Sequence, residues 1–330
     1  MIPDSLSWTT LHAQLHQILR SRQLLPKNQR LLVAVSGGQD SLCLIQLLLD
    51  LQPKWGWQLA IAHCDHGWRK DSKANADYIQ KLAETWQLPY YQLTAYHLEK
   101  KEASARQWRY QVLAETAQNY QYSYIVTGHT KSDSAETLLY NLVRGSGTNG
   151  LQALSWQRPL QLPDETEVTL VRPLLEITRS QTGEFCQQRQ LKIWYDTTNS
   201  DLNYARNRIR QELVPYLQTH FNPQVEGALA QTVELLQAEV EYLEQQTERL
   251  YQQAVSLQPL KMNRLILRSA PLALQRRVMR HILIQILPKA PNFDQIEKLT
   301  ALIFAPNRTQ TDPFPGGKIA RVEGDWINLI

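Results

Sequence analysis

A chain of 330 residues with 43% hydrophobic and 20% charged residues has a globular composition and length enough for two domains. No run of about 18 apolar residues occurs, and Met1–Thr10 lacks the basic-then-apolar pattern of a secretion signal. A membrane protein is therefore excluded and a cytoplasmic enzyme expected. The net charge of +4 permits a nucleic-acid partner without arguing for one. Three isolated cysteines, Cys43, Cys64 and Cys186, offer neither a disulfide framework nor a Cys-x-x-Cys metal site.

The first half of the chain alternates strand and helix. Strands are expected at Leu31–Val35, Gln58–His63, Tyr90–Ala95 and Tyr124–Thr127, and helices at about Asp40–Leu51, Asp71–Trp86, Ala103–Asn119 and Ser132–Arg144. This predicts an α/β fold with a doubly wound, mainly parallel sheet covered on both faces. Leu151–Leu170 reads as a loop or insertion, Val168–Pro173 as a further strand, and Thr178-Arg179-Ser180-Gln181 has capping-box spacing before another helix. A long helix is expected over about Leu229–Ala254, where Leu229, Leu236, Leu243 and Leu250 recur every seventh residue, as do Val233, Val240, Thr247 and Ala254. A homodimer through a coiled coil and a linker helix packed on its own chain both fit that pattern. Helical pieces near Ala273–Leu287 and Phe293–Phe304, then Gly316-Gly317 and short strand-like ends, make a smaller, mainly helical C-terminal domain. The division is placed between residues 217 and 218.

Ser36-Gly37-Gly38-Gln39-Asp40-Ser41 sits between the first strand and the first helix of that alternation. Two glycines let the backbone approach an anion, and the unpaired N–H groups of the helix start point at it. The serines add hydroxyl donors, and Asp40 is suited to hold Mg2+ against phosphates. Gly145-Ser146-Gly147-Thr148-Asn149-Gly150 formally matches the dinucleotide fingerprint, but follows a helix where the fingerprint needs a strand, and is read as a loop. Ligands of open parallel sheets bind beyond the carboxyl ends of the strands, where Ser36, His63–His66 and Gly128–His129 all fall.

The hexapeptide resembles the SGGxDS loop of the N-type ATP pyrophosphatases, or PP-loop superfamily, which cleave ATP to AMP and pyrophosphate. Within that superfamily several stretches resemble the tRNA(Ile)-lysidine synthetases: His63-Cys64-Asp65-His66-Gly67-Trp68-Arg69 (HxDHGxR), Ala105-Arg106-Gln107-Trp108-Arg109-Tyr110 (ARxxRY) and the stretch Thr127–Thr137 (TGHxxDDxAET). Further matches are Arg144-Gly145-Ser146-Gly147 with Gly150-Leu151, then Val171-Arg172-Pro173-Leu174-Leu175, and Asp196, Asn199 and Asp201 with the stretch Tyr204–Arg210, closed by Pro215. One departure stands out: Ser132 replaces the first aspartate of the family pair.

The resemblance implies a ligase that joins free L-lysine to C2 of the wobble cytidine in the CAU anticodon of tRNA(Ile), with ATP and Mg2+. It assigns ATP binding to Ser36, Gly37, Gly38, Gln39, Asp40, Ser41, His63 and Gly128, and chemistry to Asp40, His129, Asp133, Glu136 and Arg206. Asp133 and Glu136, three residues apart, share a helix face near its start. There they serve either as helix-terminal acids or as partners of an amine nucleophile and a metal. Arg106, Arg109, Arg144, Arg208 and Arg210 are candidates for RNA phosphates. So are Arg276, Arg277 and Arg280, which also suit a helix–helix interface. A tRNA sulfur-transferase of the 2-thiocytidine type is the alternative on the same loop, disfavoured by the isolated cysteines.

Overall fold

The computed structural model describes residues 8–68, 71–95, 98–99, 102–162, 167–195 and 201–330. In chain order the elements are α1 (Thr10–Ser21), β1 (Arg30–Ala34), α2 (Gln39–Trp55), β2 (Gln58–Asp65), α3 (Ser72–Thr85), β3 (Tyr90–Thr94), α4 (Glu102–Asn119) and β4 (Tyr124–Thr127). They continue with α5 (Lys131–Val143), α6 (Thr148–Leu151), β5 (Gln157–Gln161), β6 (Glu167–Val171), α7 (Arg179–Gln188) and α8 (Ala205–Arg208). A π-helical turn, Ile209–Leu213, leads to α9 (Val214–His220) and α10 (Val225–Ala254). Then follow β7 (Val255–Leu257), β8 (Leu260–Asn263), α11 (Arg264–Arg268), α12 (Leu272–Ile286), α13 (Phe293–Ala301), β9 (Ala320–Glu323) and β10 (Trp326–Leu329). Two compact units result, Met1–Glu234 and Leu235–Ile330. The boundary falls inside α10, later than the division expected from sequence. Among the described residues no helix is long and apolar enough to cross a membrane.

The first unit is built on a six-stranded sheet of order β3-β2-β1-β4-β6-β5, parallel except for β5. Its strands are apolar on both faces, and their period of two sorts them into two cores. Leu31, Val33, Ile61 and Val126 face one side with α2 residues such as Leu44 and Leu48, while Leu32, Ala60, Ala62 and Ile125 face the other with Leu113 and Ala117 of α4. The doubly wound architecture expected from the alternation is what forms. β1 lies between β2 and β4, so the strand order reverses there, and a crevice opens at the carboxyl ends of those strands.

The stretch read as a loop contains β5, paired antiparallel with β6 from Gln157 opposite Val171 to Gln161 opposite Glu167. It escaped detection because it is an edge strand carrying Pro159, with Leu160 as its one buried residue. The glycine-rich stretch does follow a helix, α5, as expected, and carries the single turn α6.

The second unit has a four-stranded antiparallel sheet, β7-β8-β10-β9, beside α11, α12 and α13. Only its last two strands were legible from sequence. Met262, Val278, Ile282, Leu299, Val322 and Ile327 fill its core. In α10 the row Val233, Val240, Thr247 and Ala254 is buried within the single chain. In the other row Leu250 is buried, and Leu229, Leu236 and Leu243 are half-buried.

One glycine fixes how closely β4 approaches α2. A Cβ on Gly128 would lie 2.8 Å from the carbonyl oxygen of Asp40, with backbone on the far side and no side chain to move aside. Gly128→Ala is expected to cost about 1–3 kcal/mol, as overpacking does, seen as a lower urea midpoint. An unchanged midpoint would show that the contact is slack.

Candidate active site

The phosphate loop is pre-shaped by Ser36 and Ser41 within it and by Asn75 and Trp194 beside it. Gly37 adopts φ +90°, and a Cβ there would meet Asn75 Oδ1 at 2.7 Å. Its carbonyl accepts from Trp194 N–H at 2.9 Å, while Asn75 Nδ2 donates to the Ser36 carbonyl at 3.0 Å. Ser41 Oγ donates to the Gly38 carbonyl at 2.9 Å and accepts from Ser36 N–H at 3.2 Å. His63, at the end of β2, is buried and its Nδ1 meets the Val35 carbonyl at 2.8 Å, which fixes Nδ1 as the protonated nitrogen. A cavity of about 680 Å³ opens over this loop, lined also by His129, Asp133, Arg106, Arg109, Arg206 and Arg210. Those residues come from separate elements and meet beyond the carboxyl ends of β1, β2 and β4, whose last residues also line the cavity.

The acids at the cavity floor form one charged frame. Arg179, the first residue of α7, bonds Asp40 through Nε at 3.2 Å, Asp133 through Nη2 at 2.6 Å and Glu136 through Nη1 at 2.8 Å. Arg210 grips both oxygens of Glu136 at 2.8 Å and stands 3.6 Å from Asp133. Asp133 divides its oxygens: Oδ2 accepts from the Thr130 N–H and hydroxyl at 2.8 Å, closing the helix cap, and Oδ1 meets Arg179. The capping reading of this acid is therefore realised, and its other oxygen faces Arg179. The Thr182 hydroxyl and the Gln39 amide bond Asp40 from the other side.

The frame sets opposite tendencies in its two aspartates. Burial opposes ionisation of Asp133, but Arg179 and the hydrogen bonds from Thr130 outweigh it and hold its carboxyl below the usual range. At Asp40 burial prevails, helped by the neighbouring Asp133 against the pull of Arg179, and the carboxyl is pushed up. Burial also drives His129 down, so its imidazole is neutral at neutral pH, its Nδ1 lying 2.9 Å from Thr127 Oγ1. Burial raises the three thiols, Cys64 and Cys186 to about 12, and leaves no ready thiolate.

Asp40 and Asp133 face one cavity beside the loop amides. Mg2+ commonly takes one or two carboxylates plus phosphate oxygens and water, so this donor set fits it in kind. Among the described residues no group of three or more His, Cys, Asp or Glu side chains forms a metal cage.

The arginines separate by position. Arg206 and Arg210 are four apart and both reach the cavity, whereas Arg208 turns away and donates to the Leu202 and Asn203 carbonyls at 2.6 and 3.2 Å. Arg210 is committed to carboxylates rather than left for an RNA phosphate. The guanidiniums of Arg144 and Arg206 lie 5.2 and 5.6 Å from the Tyr140 ring. In the second unit Arg276 bonds Glu297 at 2.6 and 2.8 Å, Arg277 pairs with Glu244, and Arg264 and Arg268 donate to the Ile303 carbonyl at 3.1 and 2.9 Å. Arg280 is half-buried. Much of that basic stretch thus holds its own unit together. Arg69, Asp196 and Asn199 lie outside the described residues.

Two residues were missed as site members from sequence. Arg179 looked like a residue inside a capping box, and that box forms around it between Thr178 and Gln181. Glu226, on α10, accepts from the Ser132 hydroxyl at 3.0 Å, and that same hydroxyl accepts from Arg179 N–H at 3.2 Å. A carboxylate at 132 would face Glu226 with like charge, so the serine suits its surroundings.

Comparison with known proteins agrees with this geometry. Residues 8–217 match the PP-loop domain family and residues 265–325 the TilS substrate binding domain. The tRNA(Ile)-lysidine synthase of Nostoc sp. is 63% identical, aligned over 98% of this chain and 97% of its own length. The chain belongs to the tRNA(Ile)-lysidine synthase family. The Synechocystis sp. synthase is 53% identical over 98% of this chain and 99% of its own length. The chloroplastic synthase of Zygnema circumcarinatum is 36% identical, over 87% and 78%. Among solved structures, the U34-tRNA thiolase NcsA from Methanococcus maripaludis, with its [4Fe-4S] cluster, superposes with TM-score 0.57 at 17% identity, covering 69% of this chain and 80% of that one. That likeness concerns the fold.

Within this synthase-family site, Asp133→Asn is expected to destabilise the protein by about 2–4 kcal/mol at pH 7. Its depressed carboxyl contributes stability that is present above the unfolded value and lost as pH falls through the folded one. Asp40→Asn should cost about 1 kcal/mol or less, because ionised Asp40, with its raised folded value, already opposes folding at neutral pH. Denaturant midpoints at pH 7 compare them; equal losses would contradict the assigned asymmetry.

Proposed function

We propose that this chain is an ATP-dependent ligase that joins the side-chain amine of free L-lysine to C2 of the wobble cytidine in the CAU anticodon of tRNA(Ile), releasing AMP and pyrophosphate. The reading is carried by the meeting, beyond the carboxyl ends of the central strands, of an anion-shaped loop with a paired-acid frame, in a chain whose full-length relatives bear the synthase name. Residues 1–217 would carry the chemistry, and 218–330 the linker helix and a tRNA-binding unit, in the cytoplasm.

In the first step the C2 oxygen of the cytidine attacks the α-phosphate of ATP and pyrophosphate leaves, forming an adenylated cytidine. Negative charge grows on the phosphates. The amides of Gly37, Gly38 and Gln39 at the start of α2, with Ser36 and Ser41, are placed to receive it. Asp40 would hold Mg2+, which supplies charge neutralisation at the phosphates. His63 and Gly128 flank the nucleotide, and His129 offers a neutral imidazole.

In the second step lysine displaces AMP from C2. A lysine amine is protonated at neutral pH and attacks only after losing a proton. Asp133, with a carboxyl held low, is a weak base but a strong electrostatic partner for the arriving ammonium. The proton would pass to Asp133, since Asp40 is given to the metal. Glu136, with both oxygens on guanidiniums, anchors the frame. Arg206, with Arg106 and Arg109 across the cavity, suits the phosphate of the intermediate and of the anticodon loop. Arg144, Arg208, Arg276, Arg277 and Arg280 suit the RNA backbone further out. The target base lies in a single-stranded loop, so splaying it out costs little.

The test is pyrophosphate release and labelled amino-acid incorporation with purified protein, ATP and tRNA(Ile) bearing CAU. Lysine alone among the amino acids should enter the RNA, and Asp40→Asn should abolish pyrophosphate release while remaining folded. Release without lysine transfer would overturn the reading.

A further inference from the structure

Arg179 is fixed at every polar group it has in the site. Its N–H donates to Ser132 Oγ at 3.2 Å. Its carbonyl accepts from Gln39 Nε2 at 2.7 Å and from the Thr182 hydroxyl at 2.9 Å. Its guanidinium spans Asp40, Asp133 and Glu136. Asp40 belongs to the phosphate loop, in the first turn of α2 after β1, while Asp133 and Glu136 stand on α5 after β4. These are the two sides of the crevice, and a planar fork of donors is suited to tie them together.

We propose that Arg179 is a positioning residue of the ligation: it registers the phosphate loop, through Asp40, against the acid pair of α5, so that adenylation and amine attack are aimed at the same cytidine carbon. The proposal rests on the lysidine-forming reading. Three carboxylates and two guanidiniums leave the frame with one net negative charge, so removing Arg179 leaves three acids repelling one another around Arg210 alone. The loop and α5 then lose their common reference. Misplacement of this kind costs about 10²-fold in rate. Lysine at 179 would keep the charge but present a point cation, unable to bridge three acids in one plane.

The experiment measures pyrophosphate release without lysine, and lysine incorporation with it, for wild type, Arg179→Met and Arg179→Lys, each checked as folded by circular dichroism. Arg179→Met should lose about 10²-fold in kcat for both steps, with KM for tRNA little changed. Added guanidinium at millimolar concentration should restore part of that loss, which a purely structural defect would not allow. Arg179→Lys should fall between, and it decides the matter if the methionine variant does not fold. Wild-type kcat in the folded lysine variant would overturn the proposal. So would a rise in KM for lysine alone, which would make Arg179 a determinant of amine binding only. Absence of lysine incorporation by the wild type would instead overturn the underlying reading.

Discussion

Three carboxylates converge on one guanidinium at the floor of this cavity, and the geometry of both catalytic steps depends on that convergence. Two like charges 4 Å apart repel by about 4 kcal/mol at an effective dielectric of 20, so Asp40, Asp133 and Glu136 could not stay ionised together without Arg179 and Arg210. The counter-charges come from α7 and the π-helical turn, neither of which carries the phosphate loop. The site is therefore closed by the later part of the first unit, and the sheet alone would not make it.

Above that floor the chain uses backbone where anions must come close and side chains where protons must move. Gly37 and Gly128 remove Cβ atoms at two close approaches beside the cavity, to Asn75 and to the Asp40 carbonyl. The imidazole of His63 is pinned by a carbonyl, and that of His129 is neutral by burial and so does not compete with the arginines as a cation. The two aspartates, alike in sequence, are pushed in opposite directions by their surroundings. Burial prevails at Asp40, whereas Arg179 and the Thr130 hydrogen bonds prevail at Asp133.

The β-α alternation, the phosphate loop and the acid pair were legible because each is local: a run of apolar residues, a turn of glycines, a three-residue spacing. Arg179 was not, because its partners lie 139, 46 and 43 residues earlier in the chain. Its local context, a capping box, gave a sufficient explanation of its own. β5 was hidden by Pro159 and by having one buried side chain. β7 and β8 were hidden because their short runs adjoin helices on both sides. The arginines of the second unit looked free because no acid lies among them in sequence, yet Glu244 and Glu297 reach Arg277 and Arg276 from other helices. Spacing revealed which residues share a face; it did not reveal what that face meets.

The most direct measurement is a double-mutant cycle between Arg179 and Asp133, with Arg179→Met, Asp133→Asn and the double variant unfolded in denaturant. A single charged frame predicts that the two losses overlap strongly, with a coupling of about 2 kcal/mol. Losses that add to within about 0.5 kcal/mol would mean that the two residues act independently, and that the frame is not what holds the site.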